Sequence, residues 1–176
     1  MLCTCRYIIP GIFVMFMVNI CFGQSITELI NTIKKEFQAI NTDSGYKKIV
    51  IENEDFLENM TDGGGTLTGY YKGKHLRKVN QWIGISTGFE ITEFYYKDNK
   101  LIFIYQEFNS FIYIDSLQEL DHSQATITSE KRFYFNNDKL IQFSWKGKTG
   151  EMPATVLAKS LSDRSADNIK LLRKKQ

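Results

Sequence analysis

Gly84-Ile85-Ser86-Thr87-Gly88 fits the Gly-x-Ser-x-Gly pattern of a nucleophile elbow, and Asp115 and His122 follow it in the order serine, acid, histidine. In that chemistry the histidine takes the serine proton and the carboxylate holds the imidazole in its working tautomer. An elbow also needs a strand before the serine and a helix after it. Here Phe89-Glu90-Ile91-Thr92 alternates as a strand would, and small residues equally suit a loop between two strands. The first reading therefore assigns no catalytic residue. A small secreted serine hydrolase using Ser86, with Asp115 and His122, is the alternative.

Other chemistries find less support. His75 and His122 are the only histidines and stand 47 residues apart, without the paired spacing of a metal site. Asp115, Glu119, Asp121 and His122 read as a solvated polar loop, since acidic loop residues are ordinary at surfaces. The acidic run Glu52, Glu54, Asp55, Glu58, Asp62 lacks the spacing of a calcium loop. Gly147-Lys148-Thr149 has Gln142 where a phosphate-binding loop needs its first glycine, and Gly63-Gly64-Gly65 is followed by Thr68 where a dinucleotide fingerprint needs its third. No metal and no cofactor is expected.

The 22 Lys and Arg residues nearly balance 20 Asp and Glu. A net charge of +2 makes no electrostatic case for nucleic acid as a partner. Lys72, Lys74, Arg77 and Lys78 do gather near Tyr70, Tyr71 and Trp82, a combination that grips single strands elsewhere. Edge lysines that prevent aggregation are the simpler explanation.

Residues 1–23 read as an address. One basic residue, Arg6, precedes an apolar run over residues 7–18, too short for a transmembrane helix, which needs about 20 residues. Cys21-Phe22-Gly23 places small residues where a signal peptidase reads, so cleavage is expected before Gln24. The expected organisation is a signal peptide, 1–23, and one domain, 24–176. That chain would be secreted or periplasmic, cysteine-free because Cys3, Cys5 and Cys21 lie in the leader, and without a membrane span.

Ser25-Ile26-Thr27-Glu28 matches a capping box, and Ile26, Leu29, Ile30, Ile33, Phe37 and Ile40 form one stripe on the helix behind it. Residues 47–51 read as a short strand. From 66 to 145 the chain holds 17 of the 20 aromatics that follow the leader, a composition typical of antiparallel sheet. Strands are expected at 66–72, 75–83, 89–97, 100–108, 126–136 and 139–146, with turns at Lys72-Gly73, Asp98-Asn99 and Asn137-Asp138. Residues 109–124 are expected to bulge from the sheet. A helix should begin near Pro153 and break at 162–165.

The stretch Phe94-Tyr95-Tyr96-Lys97-Asp98-Asn99-Lys100-Leu101-Ile102 recurs as Phe133-Tyr134-Phe135-Asn136-Asn137-Asp138-Lys139-Leu140-Ile141, the mark of two similar hairpins in one sheet. With plain two-residue turns, Phe94 would face Phe103 and Tyr95 would face Ile102. One face then carries Phe94, Phe103 and Phe133 and should meet the N-terminal helix. The other carries Tyr95, Tyr134, Arg132 and Glu93 and should be the more exposed, which makes those four residues the candidate binding set. A sheet covered on both faces near these turns is the alternative, since both are strongly apolar.

The leader, the first helix and the two Phe-Tyr-aromatic hairpins together resemble small secreted, functionally uncharacterised bacterial α+β proteins with aromatic-rich antiparallel sheets. That resemblance implies an architecture and no catalytic residues. The fold expected is α+β: an N-terminal helix packed on a mostly antiparallel sheet of about six strands, with a C-terminal helix. The function expected is non-enzymatic binding of a protein, peptide or glycan through an aromatic sheet face. An envelope protein that assembles through its sheet is a further alternative.

Overall fold

The computed structural model describes residues 25–57, 59, 61–147 and 152–176. The signal peptide, its cleavage point and all three cysteines lie outside the described residues, as do Lys148 and Thr149. The N-terminal helix α1 (Ile26–Thr42) begins with the capping box read from sequence. The Ser25 amide donates to the Glu28 carboxylate at 3.0 Å, and the Glu28 amide donates to Ser25 Oγ at 3.2 Å. Those two bonds satisfy donors that a helix start otherwise leaves orphaned.

Among the described residues seven strands follow: β1 (Lys47–Glu52), β2 (Gly65–Lys72), β3 (His75–Ile85), β4 (Gly88–Lys97), β5 (Lys100–Ile114), β6 (Glu119–Asn136) and β7 (Lys139–Gly147). They form one open sheet in sequence order, each strand antiparallel to the next. The helix α2 (Ala154–Lys174) closes the chain. The protein is thus α+β with a helix at each end of an antiparallel meander.

The hairpins at β2–β3, β4–β5 and β6–β7 share one construction. Each has a two-residue turn, two paired positions, and then one extra residue on the returning strand: Arg77, Ile102 and Ile141. Asp98, Asn99, Asn137 and Asp138 all take positive φ, between 47° and 62°, as mirror-image hairpin turns require. At the first hairpin Gly73 does so alone, at 60°. The internal echo therefore has a third copy at Tyr70-Tyr71, which the different turn residues conceal in the sequence.

The bulges overturn the expected register. Tyr95, not Phe94, pairs with Phe103, and Phe94 pairs with Ile104. Phe133 pairs with Phe143, and Tyr134 with Gln142. One extra residue shifts everything beyond it to the opposite face, because side chains alternate with a period of two.

The face assignment changes with it. Ile30, Ile33 and Ile40 of α1 pack on Tyr95, Phe103 and Tyr134. Ala158, Leu161 and Leu172 of α2 pack on the opposite face, over Phe94, Tyr96, Ile104, Phe133 and Phe135. Tyr95 and Phe94 are both 0% exposed, Tyr134 is 6% and Phe133 is 0%. The expectation that α1 covers the Phe94/Phe133 face and leaves the Tyr95/Tyr134 face open is wrong on both counts, because the turn-proximal sheet is apolar on both sides and each side recruits a helix.

Two further expectations are corrected. Residues 109–124 do not bulge away as a loop, because β5 and β6 continue through them as a two-stranded ribbon with irregularities at Phe108/Asn109 and Phe111/Ile112. Nor does α2 break at 162–165: Ser165 is buried and its hydroxyl lies 2.6 Å from that of Tyr96, so the residue that looked like a breaker is satisfied by the sheet.

Candidate functional site

Glu93, Arg132 and Tyr134, three of the four residues expected to bind, line one groove of about 470 Å³ between α1 and the sheet. Its other walls are Ile33, Lys34, Phe37 and Gln38 from α1, and Phe103 and Tyr105 from β5. The fourth residue, Tyr95, lies under the helix behind the lining residues Phe37, Phe103 and Glu93. These residues belong together, but as a cleft beside a helix rather than as an exposed face.

The apolar wall is aromatic. Phe37 of α1 meets Tyr95 at 4.9 Å and Phe103 at 5.4 Å between ring centroids, and Phe103 meets Tyr134 at 4.9 Å. Tilted and edge-on rings at these separations hold one another in place beyond simple burial. Rigid rings make a preformed wall.

One end of the groove is closed by a ring of polar groups. The Tyr95 hydroxyl donates to Glu93 at 2.5 Å and accepts from Asn41 Nδ2 at 3.0 Å. Lys78 donates to Asn41 Oδ1 at 3.0 Å and pairs with Glu93 at 2.6 Å, while Asn80 adds a bond to Glu93 at 3.3 Å. Burial first, and the adjacent Glu93 carboxylate second, push the Tyr95 phenol well above its ordinary value. Glu93 thus faces the groove with its oxygens engaged.

The other end carries Arg132. Its guanidinium lies 5.1 Å from the centre of the Tyr105 ring and donates to Glu130 at 2.9 Å. Glu130 and Glu107 stand directly opposite on β6 and β5, a placement that repels between like charges. The Tyr105 hydroxyl sits 2.7 Å from Glu130 and 2.6 Å from Glu107. Hydrogen bonding from Tyr105 first, then Arg132, holds the Glu130 carboxyl below the usual range. Burial and the two carboxylates push the Tyr105 phenol up.

The serine-centred candidates lie elsewhere. Ser86 and Thr87 form the exposed turn between β3 and β4, so a strand follows Ser86 where an elbow needs a helix. Asp115 occupies the turn joining β5 to β6, and His122 lies exposed on β6 with its ring 4.6 Å from Phe111. Among the described residues no hydrogen bond links the three. No group of three or more His, Cys, Asp or Glu among the described residues is placed to hold a metal ion.

The basic cluster of the first hairpin is mostly neutralised where it stands. Lys72 pairs with Asp43 at 2.8 Å, Arg77 with Glu36, and Lys78 with Glu93. Sequence reasoning missed the contribution of α1, whose Lys34, Phe37 and Gln38 complete the groove. Phe37 was legible as core; that its neighbours one turn away border a cleft depends on where the helix crosses the sheet. No family model, curated protein or solved structure matches the chain.

Proposed function

We propose that this is a non-enzymatic binding protein that holds a small ligand in the groove between α1 and the sheet. The single observation that carries the reading is the cleft itself: about 470 Å³, in the size range of small-molecule sites, with aromatic walls and a few polar groups at its ends. Of its lining, Glu93 is held by Tyr95 and Lys78, and Phe37, Phe103 and Tyr134 are held in ring contacts, which lowers the ordering cost of binding. Secretion or export to the periplasm belongs to the same reading and rests on residues 1–23. Mass spectrometry of exported chain beginning at Gln24 supports it, and an intact Met1 in the envelope opposes it.

The groove is tested by titrating the full chain with Nile red, a neutral dye that brightens in apolar surroundings. One site per chain is expected. Gln38→Trp, at an exposed helix position on the groove wall, should abolish the signal while leaving unfolding by urea unchanged. Undiminished binding in that variant overturns the reading.

A second reading, assembly through the sheet, is favoured by one observation. Tyr113, Leu117, Ile127 and Trp145 are each more than half exposed and all lie at the sheet end away from the hairpin turns. Exposed apolar groups gathered at one end mark contact surfaces. A monomeric mass by light scattering across concentration, unchanged in Trp145→Ser, removes this reading.

A further inference from the structure

From the charges around the groove we infer that its ligand is an anionic amphiphile, an apolar chain or ring ending in a carboxylate; this rests on the groove reading above and specifies its ligand class. The carboxylate that lines the cleft, Glu93, already accepts from Tyr95 at 2.5 Å, Lys78 at 2.6 Å and Asn80 at 3.3 Å. A cationic ligand head would have to displace those donors.

The two cations lining the cleft are less committed. Arg132 donates to Glu130 through Nη2, and among the described residues its Nε and Nη1 have no partner. Lys34, on the exposed side of α1 at the cleft's edge, has no ion pair among the described residues. A guanidinium presents its donors in a planar fork matched to a carboxylate. The Arg132 guanidinium rests 5.1 Å from the centre of the Tyr105 ring, which also lines the cleft. Behind these cations lie Ile33, Phe37, Phe103 and Tyr134, with no charge among them. Apolar surface ending at two cations, with the neighbouring carboxylate saturated, is complementary to a molecule that is apolar at one end and anionic at the other.

Titrating the full chain by calorimetry with dodecanoate, dodecanol and dodecyltrimethylammonium, all below their micellar concentrations, decides between head groups on a common tail. Dodecanoate should bind about tenfold tighter than the alcohol, as one charge-assisted hydrogen bond implies. Arg132→Gln should erase that preference and leave the alcohol unchanged. If loss of the Glu130 pair unfolds that variant, Lys34→Glu, at an exposed helix position, should lower dodecanoate affinity alone. Equal binding of all three, or tightest binding of the trimethylammonium compound, overturns the ligand class. Alcohol binding that Gln38→Trp abolishes would then leave the groove reading intact. No binding of any of the three overturns both.

Discussion

The same strands behave differently at the two ends of the sheet. Near the three hairpin turns, adjacent residues such as Phe94 and Tyr95, or Phe103 and Ile104, are all buried, because α1 covers one face and α2 the other. Toward Ser86 and Asp115 the helices give less apolar cover, although α2 reaches Glu90 through Arg164 at 3.3 Å. There Phe89 and Phe111 are half-buried, and Ile112, Tyr113, Ile127 and Trp145 are exposed. The turn-proximal half is held by side chains packed across three layers; the far half is held mainly by the backbone ladder. A ribbon of two strands without a covering layer is marginal by itself, so the far half borrows its order from the near one.

Substitutions should separate these halves by size of effect. Phe133→Ala removes a fully buried ring from the core beneath α2 and should cost about 3–5 kcal/mol of unfolding free energy in urea. Trp145→Ala, exposed at the far end of β7, should cost under about 1 kcal/mol. Equal losses would erase the distinction. Gly88→Ala sharpens it, because a Cβ there would lie 2.0 Å from the Asn109 carbonyl oxygen of β5. Having no soft neighbour to displace, it should cost roughly 1–3 kcal/mol despite touching no core. Rapid amide exchange in β4 before Ile91 and in β5 after its partner Glu107, with protection retained near Tyr95, is the measurement that confirms a backbone-held half.

A loss below that of Phe133→Ala is expected from Tyr96→Phe. It leaves the buried Ser165 hydroxyl without its 2.6 Å partner under α2 and should cost about 1–3 kcal/mol. Ser165→Ala combined with it should recover part of that loss, since removing both polar groups leaves neither orphaned. A double variant worse than the sum of the two would show that the pair does not hold α2 to the sheet.

The contrast also explains what the sequence disclosed. The capping box, the α1 stripe, seven strands' worth of alternation and two of the three turns were legible, since each is a local signal of spacing or turn chemistry. The bulge residues Arg77, Ile102 and Ile141 were not equally so. Ile102 stands in a run, Leu101 to Tyr105, that is apolar on both faces, so a one-residue slip there leaves no polar residue misplaced to reveal it. After Ile141, Gln142 and Ser144 alternate with Phe143 and Trp145 and do carry that signal. Alternation alone puts Tyr95, Tyr134, Arg132 and Glu93 on an open face; three of them line a cleft because the bulges and the covering helix combine to leave one beside α1. The coupling of those two features is tertiary, and no single stretch of residues records it.

The last prediction is the least visible at neutral pH and grows with alkali. Burial is the first cause that raises the phenols of Tyr95, Tyr96 and Tyr105, reinforced at Tyr95 by Glu93 and at Tyr105 by Glu107 and Glu130. An unfolded tyrosine ionises near pH 10, so above that pH the folded chain holds protons that the unfolded chain has lost. Stability is therefore fully present below about pH 10 and falls as pH rises beyond it, with a slope set by the number of phenols retained. Phenolate absorbance and loss of far-ultraviolet dichroism should rise together in one step for these three residues. Tyr95→Phe should flatten the slope, because one retained proton is removed from the balance. Smooth ionisation of all the tyrosines near pH 10 with the dichroism intact would mean that water reaches the sheet beneath α1, and the turn-proximal half would no longer differ from the far half.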